Sequence, residues 1–264
     1  MYQPSLAQTV PAGKVSGDGR RIPMFKLIRL LLELSRASLI LWLQFPRLER
    51  DRKLLEIQRW ASKILLILQV EIQCEGSLPD QSNALVVANH VSWLDILVIQ
   101  SLMPGVFVAK AEVRRWPLFG MLAQACSTIF VERSSRASAR TMVDGALRAF
   151  EQGYSVVAFP EGTSSDGVDL AAFHSNVFEC AIKAQTPVRP VTLRYVEGQT
   201  GLPCEAALFI GEMTLTSSLR RVMATSTIKT LVHIGDCIHV AGQTRKSLSV
   251  QAHRHIRSQL DLLQ

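Results

Sequence analysis

The 264-residue sequence lacks most of the features that announce a familiar chemistry. It has no P-loop, so phosphate-loop nucleotide hydrolysis is excluded. Its five cysteines, Cys74, Cys126, Cys180, Cys204 and Cys237, are odd in number and lack metal-ligand spacing. They read as buried thiols of a reducing compartment, neither a disulfide framework nor a zinc site. Aromatic residues are only 6% of the chain, and no nucleic-acid motif accompanies the net charge of +7, so no nucleic-acid partner is expected. No repeat or low-complexity tract is present. The first twenty residues carry Pro4 and Pro11 and no apolar core. They do not resemble a signal peptide and are expected to be disordered.

What is present is apolar material, 48% of the chain, enough for one sizeable core. Near the start, basic residues interleave with leucines, a pattern that fits an anionic membrane surface as partner. From Met24 to Phe45, Lys26, Arg29, Glu33 and Arg36 form one narrow helical stripe beside a broad apolar face, and Pro46 ends the segment. A second amphipathic helix is expected from Asp51 to Gln69. Residues 21–70 therefore read as a helical hairpin, preceded by a disordered 1–20 and followed by the main domain, 71–264. The hairpin either packs on the main domain or sinks its excess apolar surface into one leaflet. A full crossing would drag four charges into the bilayer.

The main domain alternates strands and helices, which predicts an α/β fold with a mostly parallel central sheet and flanking helices. Strands are expected at 84–88, 106–109, 127–131, 154–159 and 188–195, the last interrupted by Pro190, with short candidates at 206–211 and 230–234. Helices are expected at 92–102, 121–125, 137–151, 170–183 and 244–263. His253 and His255 of the last helix read as surface residues.

Polar groups recur where these strands end. Asn89-His90 closes the first strand, Ser92 looks like a helix N-cap, and Asp95 lies in the first turn. Residues five apart in a continuous helix point about 140° from each other. With His90 ahead of the helix the two can meet. A carboxylate on one ring nitrogen fixes the tautomer and leaves the other to take a proton from a hydroxyl. The alternative is a plain capping box with His90 bonded to a loop carbonyl. Lys110 ends the second strand. Arg133 follows the third, suited either to bidentate anion binding or to a surface salt bridge. Pro160-Glu161-Gly162-Thr163 follow the fourth, where Gly162 permits close approach of a ligand and Glu161 and Thr163 offer an acceptor and a hydroxyl.

Taken together these residues resemble the glycerolipid acyltransferases of the 1-acyl-glycerol-3-phosphate acyltransferase type. The family's four ordered motifs are matched by Asn89-His90 with Asp95, by Gly120 through Phe130-Val131-Glu132-Arg133, by Phe159-Pro160-Glu161-Gly162-Thr163, and by Val188-Arg189-Pro190-Val191. The resemblance implies transfer of an acyl group from acyl-CoA or acyl-carrier protein to a lysophospholipid hydroxyl, without metal, cofactor or enzyme nucleophile. It implies His90 as general base and Asp95 as its orienting partner. Asn89, Lys110, Arg133, Glu161, Gly162 and Thr163 form the implied substrate-binding set, with Arg133 on the acceptor phosphate. The implied location is the cytoplasmic side of the inner or plasma membrane, peripheral or monotopic. The first expected acceptor is 1-acyl-glycerol-3-phosphate. One departure qualifies it: members acting on that lipid commonly continue the third motif with Arg-Ser, whereas this chain has Ser164-Ser165-Asp166-Gly167. That continuation resembles branches acting on other lysolipids, including lyso-ornithine lipid acyltransferases. A noncatalytic lipid-binding protein is the competing class.

Overall fold

The computed structural model describes residues 22–77, 83–116, 119–132 and 136–263. The expected disorder of 1–20, part of the turn before the first expected strand, and Arg133 lie outside them. In chain order the elements are α1 (Met24–Leu43), α2 (Arg50–Leu68), β1 (Val70–Glu75), β2 (Leu85–Ala88), α3 (Leu94–Leu102), β3 (Val106–Lys110), α4 (Phe119–Ala125), β4 (Ile129–Val131), α5 (Arg136–Glu151), β5 (Val156–Ala158), α6 (Glu179–Ala184), β6 (Val188–Glu197), α7 (Leu215–Ala224), β7 (Ile228–Ile234) and α8 (Arg245–Leu262).

The strands form one sheet in the order β1-β7-β6-β2-β5-β3-β4. Every neighbouring pair is parallel except β6 with β7. β2 shows why it sits in the middle. All four residues are buried; Val86 and Ala88 join the core beneath α2, α3 and α7, while Leu85 and Val87 join the core beneath α5, α6 and α8. A strand covered on both faces needs such a continuous apolar run. Because β2, β3, β4, β5 and β6 run the same way, Asn89-His90, Lys110, Val131 and Phe159-Pro160 leave the sheet at one edge.

Several expectations are corrected. Pro190 lies in a continuous, central β6, not an interruption. Its carbonyl accepts from Gly235 N at 2.9 Å, so its nitrogen also faces β7, where pairing has just loosened between Val191↔Ile234 and Val188↔Ile238. No hydrogen bond to β2 is lost. The expected helix 170–183 contracts to a 3₁₀ turn at Ser175–Phe178 and α6, because Ala171 N and His174 N donate to Glu161 and Pro160 and not to a helical ladder. The segment 206–211 is not a strand; a 3₁₀ turn covers Glu205–Ala207, and Phe209 N reaches Val91 O. β1 was not foreseen, although Val70-Glu71-Ile72-Gln73 alternates as an edge strand does. It carries Cys74, which is exposed and not buried.

The hairpin also differs from a simple charged stripe facing solvent. Lys26 is only 3% exposed, and its Nζ donates to the carbonyls of Met223 and Thr225 at the end of α7. Glu33 and Arg36 are half-buried and paired, with a shortest contact of 2.6 Å. The surface turned outward is largely apolar instead, with Phe25, Ile28, Leu31, Leu32, Leu39 and Trp42 exposed, the last 78%, and Arg29 exposed among them. No described helix is long and apolar enough to cross a membrane. At the other end of the chain, His255 is neither exposed nor alone, since its ring lies 5.5 Å from that of His233 on β7. His253 is half-buried edge-on to Phe173.

Candidate active site

The end of β2 builds the site. Beyond Ala88 the strand's pairing with β6 is continued by a side chain: Asn89 Nδ2 donates to Leu193 O at 2.9 Å and its Oδ1 accepts from Leu193 N at 2.8 Å. Asn89 is buried, and this two-point clamp on Leu193 positions the next residue. That residue, His90, emerges with its side chain 21% exposed. Its ring stacks on Phe159 at 4.1 Å between centroids and 12° between planes, a contact that fixes ring orientation.

Asp95 is fully buried in the first turn of α3, where the helix dipole favours negative charge. Its Oδ2 lies 2.7 Å from His90 Nδ1 and accepts from Val91 N at 2.7 Å and Ser92 N at 2.9 Å. The bond from Ser92 N is half of a capping box, but Ser92 Oγ accepts only from Leu94 N at 3.3 Å, so the expected N-cap role of Ser92 is not completed. The carboxylate reaches back to backbone donors of the turn that precedes the helix, which begins after Trp93. With the carboxylate on Nδ1, the His90 proton belongs there. Nε2, which has no hydrogen-bond partner among the described residues, is left to receive one.

Glu161 is 5% exposed and spans two backbones: Oε1 accepts from His90 N at 2.7 Å and Oε2 from Ala171 N at 3.1 Å. Burial pushes its carboxyl above the ordinary value, and the two backbone bonds oppose that push. Glu161 was expected to bind substrate; the structure spends both its oxygens on holding the loop to His90. Gly162 takes φ of +71°, which only glycine adopts without strain, and a side chain there would press on the His174 ring. Thr163 is exposed beside it. Ser164 Oγ donates to Phe209 O, and Ser165 N donates to His90 O at 2.8 Å, so the loop after β5 is sewn to both sides of the histidine. Lys110 stands at the same sheet edge, at the end of β3.

The arrangement is a buried carboxylate behind a half-exposed imidazole, at the carboxyl edge of a parallel sheet. It can strip a proton from a hydroxyl brought to Nε2. Comparison with known proteins agrees in kind. Residues 69–194 match the Acyltransferase family. A lyso-ornithine lipid O-acyltransferase of Pseudomonas aeruginosa is 35% identical over 198 residues, 75% of this chain and 75% of that protein. The chain belongs to the acyltransferase family.

A second lyso-ornithine lipid O-acyltransferase, from Rhizobium meliloti, is 33% identical to this acyltransferase over 216 residues, 77% of this chain and 74% of its own. A 1-acyl-sn-glycerol-3-phosphate acyltransferase of Neisseria meningitidis serogroup B is 35% identical over 153 residues, 58% of each chain. The fold is shared with the crystal structure of a 1-acyl-sn-glycerophosphate (LPA) acyltransferase, PlsC, from Thermotoga maritima: the TM-score is 0.64 at 22% identity, over 90% of this chain and 97% of that one.

Two residues of the acyltransferase site escaped sequence reasoning. Phe159 was read as a strand end and as the first residue of the third motif but given no role in the site, although an aromatic beside a strand-end histidine is the available signal for stacking. Tyr195 donates its hydroxyl to Asp95 Oδ1 at 2.7 Å from a hundred residues away. Its inward phase on β6, shared with Val191 and Leu193, was the signal for burial; nothing local named its partner.

Proposed function

We propose that this acyltransferase moves a fatty acyl group from a thioester donor, acyl-CoA or acyl-carrier protein, to the free hydroxyl of a lysolipid. The observation that carries the reading is the 2.7 Å contact of His90 Nδ1 with the buried Asp95, which leaves Nε2 as the proton acceptor of a partly exposed ring. His90 is the general base: it takes the acceptor's proton as the oxygen attacks the thioester carbonyl, and the tetrahedral intermediate collapses with expulsion of the thiolate. The thiolate then receives the proton back from the imidazolium. Asp95 holds the ring in the required tautomer and offsets its positive charge.

The acceptor favoured here is lyso-ornithine lipid, because similarity to two such enzymes extends over about three-quarters of both chains. The second reading, 1-acyl-glycerol-3-phosphate, draws on the shorter match to the Neisseria enzyme. Both acceptors bear an anion, a carboxylate in one and a phosphate in the other. Lys110 at the end of β3, Arg133 and Thr163 are the groups proposed to receive it. The outward apolar face of α1 enters the cytoplasmic leaflet, which brings the lipid hydroxyl to the sheet edge without a membrane crossing.

The test is initial-rate acyl transfer by the purified full chain with each donor against both acceptors, comparing wild type with H90A. Loss of a general base should lower turnover by roughly 10²–10⁴-fold. Near-wild-type turnover in H90A would sink the mechanism, and a product mass from only one acceptor decides between the two.

A further inference from the structure

We propose that Tyr195 is a positioning residue for the acyl-transfer reaction: its hydroxyl, by donating to Asp95 Oδ1, sets how strongly the carboxylate holds the His90 imidazolium. The inference deepens the general-base reading above and rests on it. Tyr195 is 4% exposed, beneath the sheet edge, and so acts on the reaction only through Asp95. It is carried by the same strand whose Leu193 backbone clamps Asn89, so β6 fixes both the start of the histidine loop and the far oxygen of the carboxylate.

The chemistry follows from how the carboxylate is shared. Oδ2 faces His90 and two backbone N–H groups, and Oδ1 faces the phenol. Burial first, and the Asp95 charge second, push the phenol well above its ordinary value, so it stays a donor throughout the working range. A donor on Oδ1 draws negative charge away from Oδ2. Without it the charge concentrates beside Nδ1, the imidazolium is held more tightly, and the ring keeps its proton to higher pH. The other titratable groups nearby are Cys204, beside the phenol, and Glu161, bonded to the His90 backbone; neither bonds the Asp95 carboxylate.

The experiment is the pH dependence of kcat and KM for acyl transfer from acyl-CoA to lyso-ornithine lipid in wild type, Y195F, D95N and Y195F/D95N. The acid limb of the Y195F profile should move to higher pH by roughly 0.5–1 unit, about half of what a hydrogen bond to a charged group is worth because the effect reaches the ring through the carboxylate, with KM changed by less than about twofold. In the D95N background the Y195F shift should vanish. A more acidic phenol, 3-fluorotyrosine at position 195 with Tyr2 and Tyr154 replaced by phenylalanine, should move the limb the other way. An unshifted limb in Y195F, or a shift that persists without the Asp95 charge, overturns the proposal, because a purely structural role predicts either. If Y195F does not fold, the fluorinated protein decides, and a limb in the wild-type position overturns it. An active H90A would instead bring down the general-base reading itself, whereas an inactive H90A with an unshifted Y195F removes Tyr195 alone.

Discussion

Replacing Asp95 by asparagine separates charge from geometry with unusual clarity. The side chain meets four donors: His90 Nδ1, Val91 N and Ser92 N at Oδ2, and the Tyr195 hydroxyl at Oδ1. An amide nitrogen cannot face two backbone N–H groups, so the asparagine oxygen must stay at the Oδ2 position and its NH₂ must turn to Tyr195. The phenol oxygen accepts from it by rotating its own hydrogen away. His90 then still donates from Nδ1, and the tautomer with Nε2 free is kept. What is lost is the carboxylate charge on the imidazolium. A hydrogen bond to a charged group contributes about 1.5–3 kcal/mol against about 0.5–1.5 for a neutral one, so the transition state loses on the order of 1–1.5 kcal/mol, about tenfold in kcat. That is well short of the roughly 10⁴-fold loss seen where an asparagine imposes the wrong tautomer on a catalytic histidine. D95A, which leaves all four donors unanswered, should fall much further, toward the H90A level. The assay is thiol release under saturating donor and acceptor. D95N as inactive as H90A would refute the argument that Val91 and Ser92 fix the amide, and D95N equal to wild type would refute any role for the charge.

Other expectations rest on separate observations. E161Q must turn its NH₂ toward either His90 N or Ala171 N, losing one buried bond at a cost of about 1–3 kcal/mol; a urea midpoint and kcat both equal to wild type would contradict the bridging role. His255 is held below its ordinary value of 6.5 by burial, then by His233, with Asp236 opposing. The unfolded chain therefore binds the proton first as pH falls, and stability should decline as pH falls through the ordinary value of 6.5. H255Q should flatten that decline in urea titrations, and an unchanged slope would exclude His255 as its source. For the hairpin, L31E/L32E/L39E alters only exposed positions of α1, so far-UV circular dichroism should be unchanged while sedimentation with anionic phospholipid vesicles is lost. Each buried leucine contributes about 1.5–3 kcal/mol, so undiminished sedimentation would remove α1 from the membrane face.

Much of this molecule was legible because its chemistry is local. The β-branched run before Asn89, the turn, and Asp95 one helical turn on define strand, histidine and carboxylate within eleven residues, and the structure brings His90 and Asp95 together as that spacing allows. Parallel strands follow from the alternation with helices. What escaped depended on distant partners. Pro190 argues against a central strand until one sees that Gly235 faces its carbonyl and that pairing with β7 has a local gap there. The reversed direction of β7 and the edge strand β1 come from pairings that no window of sequence contains. Glu161 looked like a ligand for substrate because an acidic residue at a strand end is ambiguous; only the placement of His90 N and Ala171 N on either side of it reveals an anchor. Lys26 reads as one member of a charged stripe, yet it terminates α7, a helix that begins about 190 residues later.

The two-ended grip of Glu161 has a consequence for how acceptor preference can drift. One oxygen is tied to His90 and the other to Ala171, so the stretch from Gly162 to Leu170 is a span fastened at both abutments. Side chains within the span, Thr163 and Ser164 among them, can be exchanged while the base stays where it is, provided the glycine turn, the bond from Ser165 N to His90 O and the closing contact to Phe209 or an equivalent survive. Under the proposed role of Thr163 in receiving the acceptor, selectivity for the lipid and competence for the chemistry fall on separate sides of one carboxylate, and a lineage can retune the first without first dismantling the second.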